Sequence, residues 1–439
     1  MKSKFALITA IVMAATIASP SEAESPEVSA QETSDAFNSA AAWDEFEGQL
    51  RARYAYIERA DLDVDAQLLR SKAIALSAPD SSVFRRIIHQ TALTFMDPHL
   101  IIGPFTPSDY AIVMTAADLD AKFFNGKAVI ADVRRGSPAF EAGLRPGDML
   151  TFIDGLVPEA AAMAPFGKVL PQPTAAQMDY GLTLAVNGKR GFARVLEVMG
   201  ADGLSRRVKL ISTRDYARSQ SDRPTVAVER IGEAGKVVVI TPLNSLGNND
   251  TIAAFDRAMI EAADANAIVL DMRETPSGGN TEVARSIIGH FVTEAKPYQM
   301  HRIPALEREF SVPRQFVEYV MPREPYFAGP VFVLHGKWTG SMGEGIVIGM
   351  DAASNAVSIG SDMGDLLGGL WNVDLPLSGA RMDLGGEALF HVNGLPREDY
   401  VADIAIMPAS TASDGSDPAI AAVLEIMAKQ AAQAPTQGE

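Results

Sequence analysis

The sequence predicts an α/β domain in its C-terminal half, led by a helical region and separated from it by a β-rich insert. Three observations carry this reading. Apolar runs at 236–240, 267–271 and 330–334 alternate with helical spacing near 251–263, 282–291 and 343–350, the strand–helix alternation of an α/β sheet. Trp43, Phe46, Leu50, Tyr54 and Ile57 recur at helical spacing, which is a core-packing stripe rather than a cofactor box. Between these regions, apolar 129–133, the turn Gly136-Ser137-Pro138-Ala139, the stretch 142–150 with Gly143 and Pro146-Gly147, and Ile153-Asp154-Gly155 give short strands punctuated by Gly and Pro.

In chain order, Lys2, Lys4, an apolar run from Phe5 to Ile17 and the small-residue end Ser21-Glu22-Ala23 give residues 1–23 the pattern of a secretory signal peptide cleaved after Ala23. The run is shorter than the roughly 20 residues of a membrane span. Residues 24–40, rich in Ser, Glu and Ala, read as a flexible linker. Residues 41–103 are mainly helical; a helix over 82–95 is ended by Asp97-Pro98, which places His99 directly after the break. The insert spans 104–215 and includes a Pro- and Ala-rich stretch at 156–177, and a polar linker follows at 219–224. The α/β domain covers 225–415, with an edge turn at Gly385-Gly386 expected to close the site. A helix over 418–429, capped by Asp417, leads into a disordered tail within 416–439.

Composition narrows the function. The formal net charge is −17, with 38 Lys and Arg against 55 Asp and Glu and no basic cluster, which argues against nucleic acid or an anionic membrane as partner. The absence of cysteine removes disulfides and thiol nucleophiles, so nucleophilic chemistry rests on serine, with His or Lys as base. No His, Asp and Glu spacing of the metal-ligand kind appears, and neither a metal nor a cofactor is expected. No later apolar run is long enough to span a membrane, so the expected location is periplasmic or secreted, with oligomeric state open.

The block Thr339-Gly340-Ser341-Met342-Gly343-Glu344-Gly345 sets a serine between glycines where a strand hands over to a helix. There unpaired N–H groups and the positive dipole end stabilise an anion. Such a serine suits a nucleophile, and it also suits a plain helix N-cap. A second turn after a strand, Asp271-Met272-Arg273 through Gly278-Gly279-Asn280, offers backbone donors: N–H of Gly278 or Gly279, with that of Met342, could meet an oxyanion. The same glycines also suit an ordinary βα turn. Of six histidines, His99 is held by the backbone break and His335 is the competitor near Ser341. Glu398, after the Asn393-Gly394 turn, can orient an imidazole or pair with Arg397 in solvent.

Together these landmarks resemble the C-terminal-processing (tail-specific) serine peptidases, in the tricorn-core-like branch with a Ser/His/Glu arrangement. The resemblance covers nearly all of the mature chain. It implies a ClpP/crotonase-like spiral of ββα units, a PDZ-like identity for the insert, Ser341 as nucleophile, His99 as base, Glu398 as orienting carboxylate, and Met342 with Gly278 or Gly279 as oxyanion donors. Ser/Lys relatives carry a Gly-Lys-Gly block, whereas residues 360–369 here contain no lysine; Lys337, four residues before Ser341, is expected to point to solvent. In the PDZ-like insert the stretch from Tyr110 through Met114 lacks the glycine-rich carboxylate-binding pattern, so a gating role stands beside peptide capture. The implied function is an exported serine peptidase acting on protein or peptide substrates, with activity rising near pH 6–7 as an ordinary imidazole deprotonates. A non-catalytic periplasmic peptide- or lipid-binding protein is the alternative. An acyl-CoA enzyme of crotonase type is disfavoured by the predicted export.

Overall fold

The computed structural model describes residues 37–110 and 117–433. The signal-peptide reading of 1–23, most of the linker, the 111–114 part of the expected carboxylate-binding loop and the tail beyond 433 lie outside the described residues.

Three helices, Ser39–Arg53, Val64–Ala75 and Ser81–Leu93, form the N-terminal region. Each is started by a side-chain cap, from Asn38, Asp63 and Asp80, whose oxygens accept otherwise unpaired N–H groups of the first turn. The first helix therefore begins two residues inside the segment read as linker. Trp43, Phe46, Leu50 and Tyr54 are fully buried, as the helical stripe requires, with Ile57 at the margin. They pack against Val373, Leu375, Met382 and Leu384 of the strand pair Gly369–Leu375 and Ala380–Phe390.

The insert is an antiparallel sheet of five strands in sequential order, Leu119–Phe124, Lys127–Val133, Met149–Ile153, Arg194–Met199 and Ser205–Leu210, with its own apolar core. Its Pro- and Ala-rich stretch contributes to this core. Residues Pro158–Met163 and Ala175–Asn187 are helical and bury Ala161, Ala162 and Leu182, because small residues let the two helices approach until Gly181 meets the Ala162 carbonyl. The insert is tied to the α/β domain by Arg134, whose guanidinium pairs with Glu274 at 2.8 Å.

The α/β domain is built on a six-stranded sheet. Its order from one edge is Ile404–Ala405, Val357–Gly360, Val331–His335, Ala267–Asp271, Val237–Pro242 and Val226–Ile231. All neighbours are parallel except the last pair. The three central strands are buried on both faces, as their continuous apolar runs demand. Helices Asp250–Glu261, Thr281–Ile288 and Met342–Ala353 cover one face, and helix Pro418–Gln433 covers the other through Ala419 and Val423. Asp417 caps that last helix, its Oδ1 accepting the N–H groups of Ala419 and Ile420 at 3.1 Å each, and the helix runs four residues past the predicted end.

A second sheet joins Ile101–Gly103, Ala380–Phe390, Lys296–Arg302 and Gln315–Val320. Gly385 and Gly386 do not form an edge turn but lie within the long strand Ala380–Phe390. They are glycines because the Leu367 carbonyl and the Trp371 ring press against them, leaving no room for a Cβ. Among the described residues, no helix is long and apolar enough to cross a membrane.

Candidate active site

Two turns at the ends of adjacent parallel strands meet around Ser341. The turns are stapled: Thr275 Oγ1 and Thr339 Oγ1 both donate to the Met272 carbonyl, at 2.6 and 3.1 Å, and the Gly340 N–H donates to the Thr275 carbonyl at 3.0 Å. Ser341 sits at the N-terminus of the helix Met342–Ala353 with φ 54° and ψ −114°, a backbone state that non-glycine residues rarely adopt. Such a state costs about 1–3 kcal/mol and persists only where surrounding contacts over-determine it. A plain N-cap needs no such strain: the ordinary cap has extended backbone angles. The serine is half-buried, with Met342 and Gly343 buried behind it.

Gly278, at φ +68°, lies directly against Ser341: a Cβ there would overlap the serine Cβ and Oγ and stand 3.0 Å from the Met342 nitrogen. The structure thus brings Gly278, Met342 and the serine hydroxyl together. Gly279 turns the other way, toward Leu246. Donors at a helix start beside a hydroxyl form an arrangement suited to a developing oxyanion.

His99 is buried after the Asp97-Pro98 break, and its Nδ1 lies 3.0 Å from the Leu367 carbonyl oxygen. A carbonyl only accepts, so Nδ1 carries the proton and Nε2 is left as the basic nitrogen. Asp97 Oδ1 fixes the segment by accepting the His99 N–H at 2.8 Å and the Leu367 N–H at 3.1 Å, while its Oδ2 accepts the Tyr54 hydroxyl at 2.9 Å. Burial, reinforced by the Arg397 charge, lowers the His99 pKa to about 4. This corrects the expectation of a titration near pH 6–7: a ring removed from water is neutral well below that range.

Glu398 lies half-buried on the short helical turn Arg397–Asp399, and burial raises its pKa above the usual carboxylate range. No hydrogen bond joins it to His99, whose Nδ1 is taken by the backbone carbonyl, and none joins the Ser341 hydroxyl to the ring. Glu398 instead lines a cavity of about 890 Å³ together with Pro98, Leu367, Tyr180, Asp365 and Lys337. The cavity draws on the helical region, the insert and the α/β domain. Lys337 is not directed to solvent as expected; it faces this cavity, with Nζ 3.8 Å from Asp365. Burial pulls its pKa down, but Asp365, Asp120, Asp362 and Glu344 together hold it above the ordinary lysine value, which disqualifies it as a neutral base. His335, the other histidine near the serine, is buried, with both ring nitrogens unpartnered and its pKa lowered to about 4 by burial. Among the described residues, no cluster of three or more His, Asp or Glu side chains is arranged to hold a metal ion.

Two residues of the site were not singled out from sequence. Glu344 accepts the Ser341 N–H at 2.9 Å, and Arg397 pairs with Glu344 at 2.9 Å instead of with Glu398. Burial raises the Glu344 pKa, yet every partner of its oxygens is an N–H donor, the setting of an ionised carboxylate. The Ser-x-x-Glu spacing of a capping box was the available signal for Glu344. None existed for Arg397, which reads as a surface residue in a polar loop.

At the level of sequence, no family profile and no curated protein matches the chain. Solved structures do. The chain is similar to mature CPAF in complex with lactacystin, with TM-score 0.61 and 13% identity over 90% of this chain and 98% of that one. It is also similar to the photosystem II D1 C-terminal processing protease, with TM-score 0.51 and 14% identity over 84% and 93%. On these likenesses, which cover most of both chains, the chain has the fold of the C-terminal-processing peptidases.

Proposed function

We propose that this protein is an exported serine peptidase of the C-terminal-processing family, hydrolysing peptide bonds through an acyl-enzyme on Ser341. The observation that carries this is the strained Ser341 backbone at a helix N-terminus, with Gly278 pressed against its hydroxyl. His99 takes the serine proton at Nε2 as Oγ attacks the peptide carbonyl, and returns it to the leaving amine; transfers of this kind are worth roughly 10²–10⁴ in rate. The N–H of Met342 and one from the Gly278-Gly279 turn meet the oxyanion. Water then attacks the ester by the same path in reverse. Glu398 steadies the imidazolium from the cavity wall. The α/β domain is read as the ClpP/crotonase-like spiral and the insert as PDZ-like, delivering or gating substrate at the cavity they share.

A second reading, a peptide- or lipid-binding protein that keeps the fold without turnover, is favoured by one observation: serine, histidine and Glu398 are not hydrogen-bonded to one another. Reactivity of the serine separates the two. The mature protein and its Ser341→Ala variant are exposed to a serine-directed phosphonate and the adduct located by mass spectrometry. The peptidase reading expects a single adduct on wild-type Ser341 and none on the variant. A folded wild-type protein that stays unlabelled between about pH 5 and 9 refutes it.

A further inference from the structure

Both polar groups of the Ser341 backbone are held by one buried ion pair. Glu344 Oε2 accepts the Ser341 N–H and the Arg397 guanidinium, each at 2.9 Å, and Arg397 donates to the Ser341 carbonyl oxygen at 3.1 Å. The two side chains are each 3% exposed. They grip a second segment in the same way. Glu344 Oε1 accepts the Leu366 N–H at 3.3 Å, and Arg397 donates to the Leu366 carbonyl. The next residue, Leu367, holds the base segment from both ends, its carbonyl on His99 Nδ1 and its N–H on Asp97. Serine and histidine, far apart in sequence and on different structural regions, are thereby connected through one pair of side chains and one dipeptide.

Replacing a buried ion pair by apolar residues of similar volume is often neutral or stabilising, so stability alone is a weak reason for this one. An apolar pair would supply no donor to two carbonyls and no acceptor to two N–H groups. We propose that Glu344 and Arg397 are positioning residues that hold the Ser341 nucleophile and, through Leu366-Leu367, the His99 base in register with each other. The proposal rests on the reading of Ser341 and His99 as nucleophile and base. Arg397 also acts on the ring electrostatically. Its charge adds to burial in favouring neutral His99; the carboxylates of this part of the site are Asp97, which accepts the His99 N–H, and Glu398, on which Arg397, Asp399 and Asp365 act.

The test measures the rate of phosphonate labelling at Ser341 against pH, with urea unfolding recorded on the same samples. Glu344→Gln/Arg397→Met removes both charges together and so leaves no unpaired buried ion. Arg397→Lys keeps the charge and loses the fork. The double variant is expected to fold, to label at least about 10²-fold more slowly on the plateau, the loss that an ångström-scale misplacement brings, and to show its acid limb displaced to higher pH. Arg397→Lys is expected to lose about tenfold or more in rate with the acid limb unmoved, because one ammonium cannot replace a planar fork. Either variant folded and labelling at the wild-type rate overturns the proposal. Should the double variant fail to fold, Arg397→Lys alone decides. A wild-type protein that is never labelled strikes instead at the serine hydrolase reading beneath.

Discussion

Titration of His99 offers a test that needs no substrate. Burial, with the Arg397 charge behind it, takes the ring from the ordinary 6.5 down to about 4. At 1.36 kcal/mol per unit, the fold prefers the neutral ring by roughly 3 kcal/mol. The sign follows from a depressed folded value: the unfolded chain binds the proton first, so this contribution is complete above pH 6.5 and is lost as pH falls from there through about 4. Asp97, two residues away, runs the other way. Burial raises it from 3.8 to about 6, so the folded protein prefers its protonated form and gains stability as pH falls through that range. The wild-type profile therefore mixes opposed terms, and the measurement must be a difference. His99→Asn keeps a donor for the Leu367 carbonyl and removes the titration. Urea unfolding of both proteins at about pH 7 and about pH 4 should show wild type losing roughly 3 kcal/mol more than the variant. Equal losses in the two proteins refute the idea of a ring held neutral by burial, and with it a base competent down to pH 4 or 5.

Two further outcomes are expected. Ser341→Gly should abolish labelling yet raise unfolding free energy by about 1 kcal/mol, since glycine adopts φ 54°, ψ −114° freely and relief of strain outweighs its greater chain entropy; a variant less stable than wild type in urea would mean that the turn stores no strain. Glu398→Gln should slow labelling far less than the ~10⁴ that follows loss of the correct imidazole tautomer, because the Leu367 carbonyl already fixes Nδ1–H. A loss of that full size would mean that Glu398, not the carbonyl, holds the ring in the working enzyme.

What sequence made legible was local. The strand Ala267–Asp271 stands at the residues predicted, and the helices before His99 and after Ser341 begin within a residue of expectation, because periodicity, Pro98 and the glycine turns act over a few residues. The Pro- and Ala-rich stretch offered no helix to predict, for a related reason. Alanine gives little apolar contrast, so helices that pack through Ala161, Ala162 and Gly181 leave no periodic stripe to read, and their cause is their close approach. Gly385-Gly386 was likewise read as a turn when the cause was crowding by Trp371 and Leu367, contacts with other parts of the chain.

The same limit explains why the chemistry of the site looked weaker in sequence than in three dimensions. A serine at a turn and a histidine after a proline are common, and neither declares a partner. What distinguishes them here is what holds them: a backbone angle at Ser341 that ordinary caps avoid, and a ring whose Nδ1 is committed to a carbonyl 268 positions along the chain. Glu344 and Arg397 supply the missing constraint between the two. From sequence Arg397 reads as a surface partner of its neighbour Glu398, while its real partner, Glu344, lies on another element and is buried against the serine. A serine kept in strain is anchored here at both its N–H and its carbonyl, so the buried ion pair that holds such a turn is where the positioning of the site is to be sought.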